Sequence, residues 1–404
     1  MIKKLRESFL PESSYKPFFW SLLMMGLAYG LYKGVIDNYL AEIVTMGEFD
    51  RGVAEFFREL PGVLMVFILA VLYMLSAEQM YKLGALIMLG GMAMVFAVPA
   101  DRVLVTIAIC LYSLGEHIQL GMKNTLSLEY AKPGYSGAAL GLQNSVNHIG
   151  TLAGYAIVMV AFLFISGMGA FKGFFLIAAV ICAVSAVMSF RMTGHSETDK
   201  TKSRFYFRKK YKKYYFLEVF YGSRKQVFLT FGPYVLILFY GASTSVIGLL
   251  FAISSIACYI CAPFVGKIID KLGYKIVMIS DTLILVIVCF FYGFAHHIFP
   301  KNVAFVICCV NYVLDSIISL ASMASNVYVQ DLADSPEEVR ATISTGISVN
   351  HLITVLIALF GGWVWKTLGI ETLFIVSAVL GLCNSAYAAS IRGSGKLKTK
   401  NSGG

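Results

Sequence analysis

Charged residues are scarce in this sequence: Asp, Glu, Lys and Arg make up only 14% of its 404 residues, whereas 58% are hydrophobic. A water-soluble protein could not expose enough polar surface with this composition, so a soluble globular domain is excluded. The mean hydropathy is +0.74, and the apolar residues are collected in repeated long segments. Such segments are typical of a protein that crosses a membrane many times.

Signatures of catalysis and of disulfide-rich proteins are also missing. The sequence has no HExxH motif and no clear nucleophile–base pair, and its basic central segment has no P-loop pattern, so we expect neither an enzyme nor a cofactor. The eight cysteines lie within apolar segments, which indicates no disulfide framework. Cys258 and Cys261 form one CxxC pair inside a span, where packing is a better interpretation than metal binding. A cleavable signal peptide is not expected, because the first apolar segment is long and carries Lys33 and Asp37.

We predict an all-α polytopic membrane protein with twelve helical spans. Strands of a closed barrel would alternate polar and apolar residues over about ten positions, and the apolar segments show no such alternation. The predicted spans cover 17–44, 53–75, 80–98, 103–127, 137–166, 170–190, 214–239, 243–265, 274–295, 302–325, 339–363 and 369–390.

The net charge of +10 could suggest a nucleic-acid partner, but the cations are distributed as membrane topology predicts. Many lie in 191–213 and at the termini, whereas the alternate loops hold few, among them Arg51. This positive-inside bias predicts cytoplasmic termini and places the basic, aromatic-rich segment against lipid headgroups rather than nucleic acid. We therefore predict an N-terminal six-helix bundle over 1–190, a basic cytoplasmic linker over 191–213, and a C-terminal six-helix bundle with a short basic tail over 214–404.

The two halves repeat each other in sequence. Residues 145–151 read SVNHIGT and residues 348–354 read SVNHLIT, in the fifth and eleventh spans. Tyr29-Gly30-x-x-Lys33 in the first span matches Tyr221-Gly222-x-x-Lys225 in the seventh. A weaker match joins the fourth span to the tenth. All three matches relate a span to the span six places later, which indicates internal symmetry of the kind found in secondary transporters.

Twelve spans, a basic central linker and a six-plus-six repeat resemble the major facilitator superfamily. The loop after the eighth span resembles that family's G-x-x-x-D-[RK]-x-G-x-[RK] gating motif, in Gly266, Asp270, Lys271, Gly273 and Lys275. The counterpart in the first half is degraded, with Met74, Glu78 and Tyr81 at the key positions. The fifth span lacks the Gly-Pro antiporter signature. The resemblance implies two pseudosymmetric six-helix bundles, alternating access, a bacterial cytoplasmic (inner) membrane and a monomer that moves a small molecule.

Polar residues inside the spans are the candidate site. Ionisable groups at bilayer depth cost on the order of 2.5–3.5 kcal/mol on insertion scales, so we expect each of them to have a functional or structural role. The substrate-binding candidates are Tyr29, Lys33, Asn147, His148, Tyr221, Arg224, Lys225, Asn350 and His351. The proton-coupling candidates are Glu116, Asp37 and Asp315.

Structural alternatives stay open for most of these residues. Lys33 and Asp37 lie at i and i+4 and could simply neutralise each other. Glu116 could be a static partner of a cation rather than a proton carrier, and Arg224 could pair with Glu218 or Asp315. The repeated Asn–His pairs could lock helices together, and a metal site is weaker because two histidines lack a clear third ligand. Arg58 and Glu59 could form an outer-rim ion pair or belong to the site.

The balance of charges indicates a substrate class. Three cations, Lys33, Arg224 and Lys225, face three carboxylates, so protonating one carboxylate leaves the set cationic and suited to an anionic or zwitterionic organic solute. We expect a proton-linked secondary transporter that acts as a symporter. The alternatives are an exporter of amphipathic drugs or lipids, which the many aromatics and 17 methionines would suit, and a non-transporting receptor or assembly subunit.

Overall fold

A computed structural model of the chain describes residues 7–72, 74–193 and 207–391. Within these ranges the regular structure is helical, apart from one isolated bridge between Phe9 and Ala131. The predicted basic linker over 191–213 lies largely outside the described residues, as does most of the predicted basic tail.

Six helices form the first half of the chain. They are α1 (Tyr15–Asn38), α2 (Glu48–Val71), α3 (Ala77–Ala97), α4 (Arg102–Glu129), α5 (Ser136–Ala161) and α6 (Gly167–Phe190). A five-residue π-helical turn, Tyr39–Ile43, extends α1.

The second half has the same order of helices, except that its fourth span is interrupted by a short turn and its last two spans meet at a single residue without a loop between them. Its helices are α7 (Lys212–Leu238), α8 (Thr244–Leu272), α9 (Tyr274–Ile298), α10 (Lys301–Ile318), α11 (Met323–Leu332) and α12 (Pro336–Ala389). A short 3-10 turn, Ser319–Ser322, joins α10 to α11, so these three segments together form the tenth span. The eleventh and twelfth spans are the two segments of α12, which meet at Gly369, where φ is 91° and ψ is 167°.

The described part of the chain supports the twelve predicted spans. Eight helical segments are long and apolar enough to cross a membrane, and the last of them, Ala341–Ala389, contains the break at Gly369 and therefore holds two spans. The remaining three helices, α2, α5 and α7, have 24, 26 and 27 residues. At about 1.5 Å per residue each of these exceeds the roughly 30 Å of a hydrocarbon core.

Several span boundaries differ from the prediction, among them the end of the tenth span and the junction of the last two spans. The tenth span was expected to end at 325, but helical structure continues to Leu332. A loop was expected between 363 and 369, but only Gly369 departs from helical geometry there. A left-handed φ is easily adopted by glycine, so one residue suffices to change the helix direction.

The chain forms two compact units. Unit 1 contains Met1–Met46, Phe57–Lys202 and Ser243–Ala252. Within it α1 packs against α5 and α6, and α3 packs against α4 and α6. An aromatic cluster that includes Phe9, Phe18, Tyr81 and Tyr130 lies at the end where α1 begins.

Unit 2 contains Gly47–Phe56, Ser203–Ala242 and Ile253–Gly404. Within it α7 and α9 both pack against α12, and α9 also packs against α10. Its aromatic cluster, which includes Tyr211, Tyr214, Tyr274 and Tyr328, lies at the end where α7 begins, as the equivalent cluster of unit 1 does for α1. Each unit thus also takes in the first turns of one helix from the other half of the sequence, α2 in unit 2 and α8 in unit 1.

Candidate functional site

The first candidate pair of unit 1 is an ion pair on α1. The Lys33 Nζ atom lies 2.7 Å from Asp37 Oδ2, and the two side chains are 24% and 2% exposed. The ammonium group of Lys33 also lies 5.3 Å from the centre of the Phe251 ring, which belongs to the part of α8 in unit 1. The i, i+4 spacing seen in the sequence therefore neutralises Asp37 in this structure, while Lys33 keeps an accessible side chain.

Asn147 joins α5 to α1, whereas His148 does not. The Asn147 Nδ2 atom donates to the backbone oxygen of Leu22 over 3.2 Å. This contact needs glycine on α1, because a Cβ added at Gly26 would lie 2.2 Å from the Asn147 backbone oxygen. His148, the next residue, is exposed. The predicted Asn–His motif thus consists of one packing residue and one accessible residue.

Asn350 makes the equivalent contact in unit 2. Its Nδ2 atom lies 3.4 Å from both the backbone oxygen and the Oε2 atom of Glu218 on α7. A Cβ added at Gly222 would lie 2.7 Å from the same amide nitrogen. Asn147 and Asn350 both therefore dock on a backbone carbonyl four residues before a glycine of the helix they contact. His351 is half-buried.

Glu116 lies near Arg58 in unit 1. The Arg58 Nη1 atom is 4.0 Å from Glu116 Oε2, and Arg58 also pairs with the neighbouring carboxylate of Glu59. The Ser113 hydroxyl donates to the backbone oxygen of Arg58, which fixes α4 against α2. Glu116 remains 28% exposed. The cation beside Glu116 is thus Arg58, which the sequence left open between an outer-rim ion pair and the site, and not one of the three cations of the charge census.

Arg224 is buried inside unit 2 and bound to Asp281. The Arg224 Nη2 atom lies 2.7 Å from Asp281 Oδ2, and the side chains are 2% and 6% exposed. The guanidinium also stacks over the Tyr221 ring at 4.5 Å from its centre. The partner is therefore Asp281 on α9 rather than Glu218 or Asp315, the two that the sequence suggested.

Asp281 was missed by the sequence reasoning, although a signal was present. It is the only carboxylate in α9, and it lies in an apolar stretch that otherwise carries no charge after Lys275. A lone acid and a lone buried arginine in two spans of one half are the pattern to look for.

A small cavity lies beside this ion pair in unit 2. Its lining includes Tyr221, Asp281, Ser322, Ser325 and Asn384. The Tyr221 hydroxyl donates to the backbone oxygen of Ser319, where the tenth span changes to 3-10 geometry, and Ser325 donates to Glu218 over 2.9 Å. Asp315 is also buried in this unit, at 7% exposure.

Lys225 points away from that interior. Its side chain is exposed, and no carboxylate in the described ranges lies within 4.0 Å of its ammonium group. Adjacent positions on a helix diverge by about 100°, which is why one cation enters the core of the unit and the next does not. The repeat equivalent of Lys225 is Lys33, so the accessible lysine is the one that the symmetry of the sequence preserves.

A second buried ion pair of unit 2 was also missed. The Arg51 Nη1 atom lies 2.9 Å from Glu55 Oε2, with side chains 5% and 2% exposed. Gln226 of α7 donates to Glu55 Oε1 over 2.9 Å and to Thr230 over 2.9 Å. The sequence placed Arg51 in a loop, which is wrong because α2 begins at Glu48, five residues before the predicted start at 53.

The predicted gating motif spans the junction of α8 and α9. Gly273 links the two helices with φ at 85°, which explains why glycine is required there. Lys275 donates to the backbone oxygen of Ile391 over 2.9 Å, at the end of α12. Asp270 and Lys271 are exposed, and Gly266 lies within α8.

In the degraded first-half motif a lysine also binds a backbone oxygen just after the last helix of its half, although the other residues differ. Lys82 donates to Glu78 Oε1 over 2.6 Å and to the backbone oxygen of Met192 over 2.8 Å, just after α6. Tyr130 donates to the other Glu78 oxygen over 3.3 Å, and Glu78 is 4% exposed. A lysine near the carbonyl end of a helix is favourable, and both motifs supply one.

Outside the spans, the start of the second half is tied to the segment before α12. The Lys210 Nζ atom lies 2.7 Å from Asp334 Oδ2, and this hydrogen bond raises the pKa of Lys210. Burial, together with nearby Glu338, raises the pKa of Tyr211 to about 12.

Comparison with known proteins identifies the fold. Residues 214–402 match the sequence model of the Major Facilitator Superfamily. No curated protein sequence matches the chain.

Several solved structures share the architecture over nearly the whole chain. A mutant form of the nucleoside transporter NupG has a TM-score of 0.74 at 16% identity, covering 94% of this chain and 100% of that one. A POT family transporter in complex with 5-aminolevulinic acid has a TM-score of 0.69 at 13% identity, with coverage of 95% and 96%. A D-xylose-proton symporter has a TM-score of 0.70 at 12% identity, with coverage of 94% and 98%.

The family match in the second half and the shared fold confirm the resemblance read from the sequence. Residues 214–402 match this family, and the chain has the fold of these solved transporters, with helices long and apolar enough to cross a membrane many times.

Proposed function

We propose that this protein is a secondary active transporter of a small anionic or zwitterionic organic solute, driven by alternating access and coupled to protons. The family and fold support transport. Lys33 in unit 1 and Lys225 in unit 2 are the residues that we propose recognise the negative group of the solute.

The exposed ammonium group of Lys225 is the observation that carries the substrate class. It stands in the middle of the 27-residue helix α7, and no described carboxylate lies within 4.0 Å of it. A lysine at such a depth costs on the order of 2.5–3.5 kcal/mol on insertion scales, and no ion pair within the unit offsets that cost. An anionic ligand supplies the missing partner.

Among the described residues, the neighbouring Arg224, unlike Lys225, already has a partner for its charge. Its charge is already satisfied by Asp281 and by the Tyr221 ring. We therefore propose that Arg224 shapes the wall behind the solute, and that Lys225 meets the solute directly. Lys33 is in an intermediate position, since a solute carboxylate can compete with Asp37 for it.

Glu116 is the proposed proton-carrying group. At 4.0 Å its contact with Arg58 is long, and Arg58 is shared with Glu59, so a proton can take the place of the ion pair. Asp37 and Asp315 are the remaining candidates. The D-xylose-proton symporter of similar fold is coupled to protons by name, and the POT family transporter was solved with 5-aminolevulinic acid, a zwitterion. These neighbours support both parts of the proposal.

The experiment is uptake by reconstituted vesicles. A thermal-shift screen of purified protein against anionic and zwitterionic metabolites, at two pH values, selects the solute. Uptake of that solute is then measured with and without an inward proton gradient. Lys225→Ala is expected to abolish uptake, and Lys225→Arg to retain part of it because the charge is kept.

Lys301→Ala is the matched control, because Lys301 is exposed at the first residue of α10 and outside the proposed site. Unchanged uptake of every candidate anion by Lys225→Ala would refute the substrate class. Transport of amphipathic dyes or lipids by that same variant would instead favour the export function.

We further propose a bacterial inner-membrane location with both termini in the cytoplasm, and a monomer as the working unit. The positive-inside bias of the loops supports this orientation. Labelling of a terminal tag from one side of sealed vesicles tests it, and access from the extracytoplasmic side would contradict it.

A further inference from the structure

Two adjacent histidines and a glutamate meet at one end of unit 2. His296 and His297 lie in the last turn of α9, and Glu371 lies two residues after the break at Gly369 in α12. The Nε2 atoms of His296 and His297 lie 3.2 Å and 2.8 Å from the same Glu371 oxygen, Oε1. The cation bias predicts that this end faces away from the cytoplasm.

We propose that His296, His297 and Glu371 form a binding site for a divalent transition metal, with Zn²⁺ as the ion that fits best. Imidazole nitrogen and carboxylate oxygen bind zinc at about 2.0–2.2 Å, and a tetrahedral site places neighbouring ligand atoms about 3.3 Å apart. The separations of 3.2 Å and 2.8 Å are close to that value, and all three ligand atoms lie within 4.8 Å of one another. Three protein ligands leave the fourth position to water.

The types of ligand atom favour some metal ions over others. Two imidazoles and one carboxylate suit zinc and its neighbours in the first transition row, whereas calcium and magnesium prefer a shell of oxygens. One carboxylate and two neutral imidazoles leave a net charge of +1 with the metal bound. The site is distinct from the proposed solute site, because none of its residues belongs to that set.

The local fold holds the ligands in place. The left-handed φ of 91° at Gly369 turns the chain so that Glu371 lies beside the end of α9. Gly293, one turn earlier in α9, permits close packing, since a Cβ there would lie 3.4 Å from the Cα atom of Glu371. The His296 ring packs against Phe239, with ring centres 4.7 Å apart.

Accessibility of the three side chains suits exchange with an aqueous ion. His297 is 58% exposed, whereas His296 and Glu371 are 16% and 29% exposed. Two ligands are therefore fixed by packing, and the third can open toward water to admit the metal. The bound ion would join the end of the ninth span to the start of the twelfth.

The test is metal binding by the full-length protein in detergent, after removal of any affinity tag. Cobalt(II) serves as the optical probe, because tetrahedral coordination by nitrogen and oxygen gives strong visible absorption, and zinc then displaces it in a titration. We expect one equivalent of zinc per chain at this site. Glu371→Gln and His297→Ala should weaken its binding by more than the roughly 10–100-fold that loss of an outer-shell partner causes.

Controls keep the outcome decisive. His297→Ala removes an exposed side chain, so the variant is expected to remain folded, which a thermal melt verifies. His148→Ala, which removes an exposed histidine of unit 1, should keep the full equivalent. The proposal is overturned if the wild type shows no tetrahedral cobalt spectrum, or if Glu371→Gln and His297→Ala bind zinc as the wild type does. Neither result bears on solute transport, so the two proposals fail independently.

Discussion

Arg224→Met is expected to lower the free energy of unfolding by about 3–5 kcal/mol. The substitution removes the charge and keeps a long unbranched side chain. Asp281, whose side chain is 6% exposed, then loses the guanidinium that lies 2.7 Å away. An uncompensated buried charge has this cost because neither water nor another cation replaces the lost partner. Loss of the cation–π contact with Tyr221, at 4.5 Å, contributes in the same direction.

Reversible unfolding in mixed micelles of increasing denaturing detergent, followed by circular dichroism, measures this effect. A double-mutant cycle with Asp281→Leu separates the pair from its surroundings. The variant that carries both substitutions should recover most of the lost stability, because apolar residues of similar size often replace a buried ion pair without loss. Lys225→Met, at the adjacent exposed position, should not lower stability, because no described carboxylate lies within 4.0 Å of the Lys225 ammonium group.

The reasoning is refuted if each single variant costs less than about 1 kcal/mol and the two costs simply add. Such a result would mean that Arg224 and Asp281 are not coupled. It would also return Arg224 to the group of cations whose charge is free to bind a solute.

Two packing predictions follow from the helix contacts and can be measured by thermal unfolding. Gly154→Ala should cost about 1–3 kcal/mol, because the added Cβ would lie 2.7 Å from the Cα atom of Gly30. Gly141→Ala in the same helix meets nothing within 4 Å and should be neutral or stabilising by up to about 1 kcal/mol; equal effects at the two positions would contradict the close approach. Lys82→Met should cost about 1–3 kcal/mol, since Glu78, 4% exposed, loses its cation, and the double variant with Glu78→Gln should recover part of that cost. A Lys82→Met protein as stable as the wild type would show that Tyr130 alone suffices to stabilise the buried Glu78 carboxylate.

The periodic features of the sequence predicted the fold well. Long apolar segments follow from the thickness of the hydrocarbon layer, so the spans could be placed within a few residues in most cases. The repeat of Tyr-Gly-x-x-Lys also related α1 to α7, and both helices pack through glycine. The contacts are shifted by one turn, however, because Asn350 meets Gly222 whereas Asn147 meets Gly26 rather than Gly30.

Partners of buried charges could not be predicted in the same way. Periodicity tells which residues share a face of one helix, but a contact between helices depends on their relative rotation and height. Asp281 was therefore overlooked as the partner of Arg224. Glu55 lies at i+4 from Arg51 on the same helix, and it was overlooked because Arg51 was placed in a loop. The i, i+4 pair of Lys33 and Asp37 was foreseen as an alternative because both residues lie on one helix.

The start of α2 belongs to unit 2 and the start of α8 belongs to unit 1, and this arrangement has a consequence for biosynthesis. Unit 2 includes Gly47–Phe56, and there Glu55 accepts a hydrogen bond from Gln226 on a helix translated some 170 residues later. When the first half leaves the ribosome, Gln226 has not yet been made, so Glu55 acquires its contact with α7 only later. A cut in the central linker would therefore not yield two self-sufficient halves: each fragment would lack a piece of its own interior, and coexpression rather than separate expression should be needed to recover folded protein.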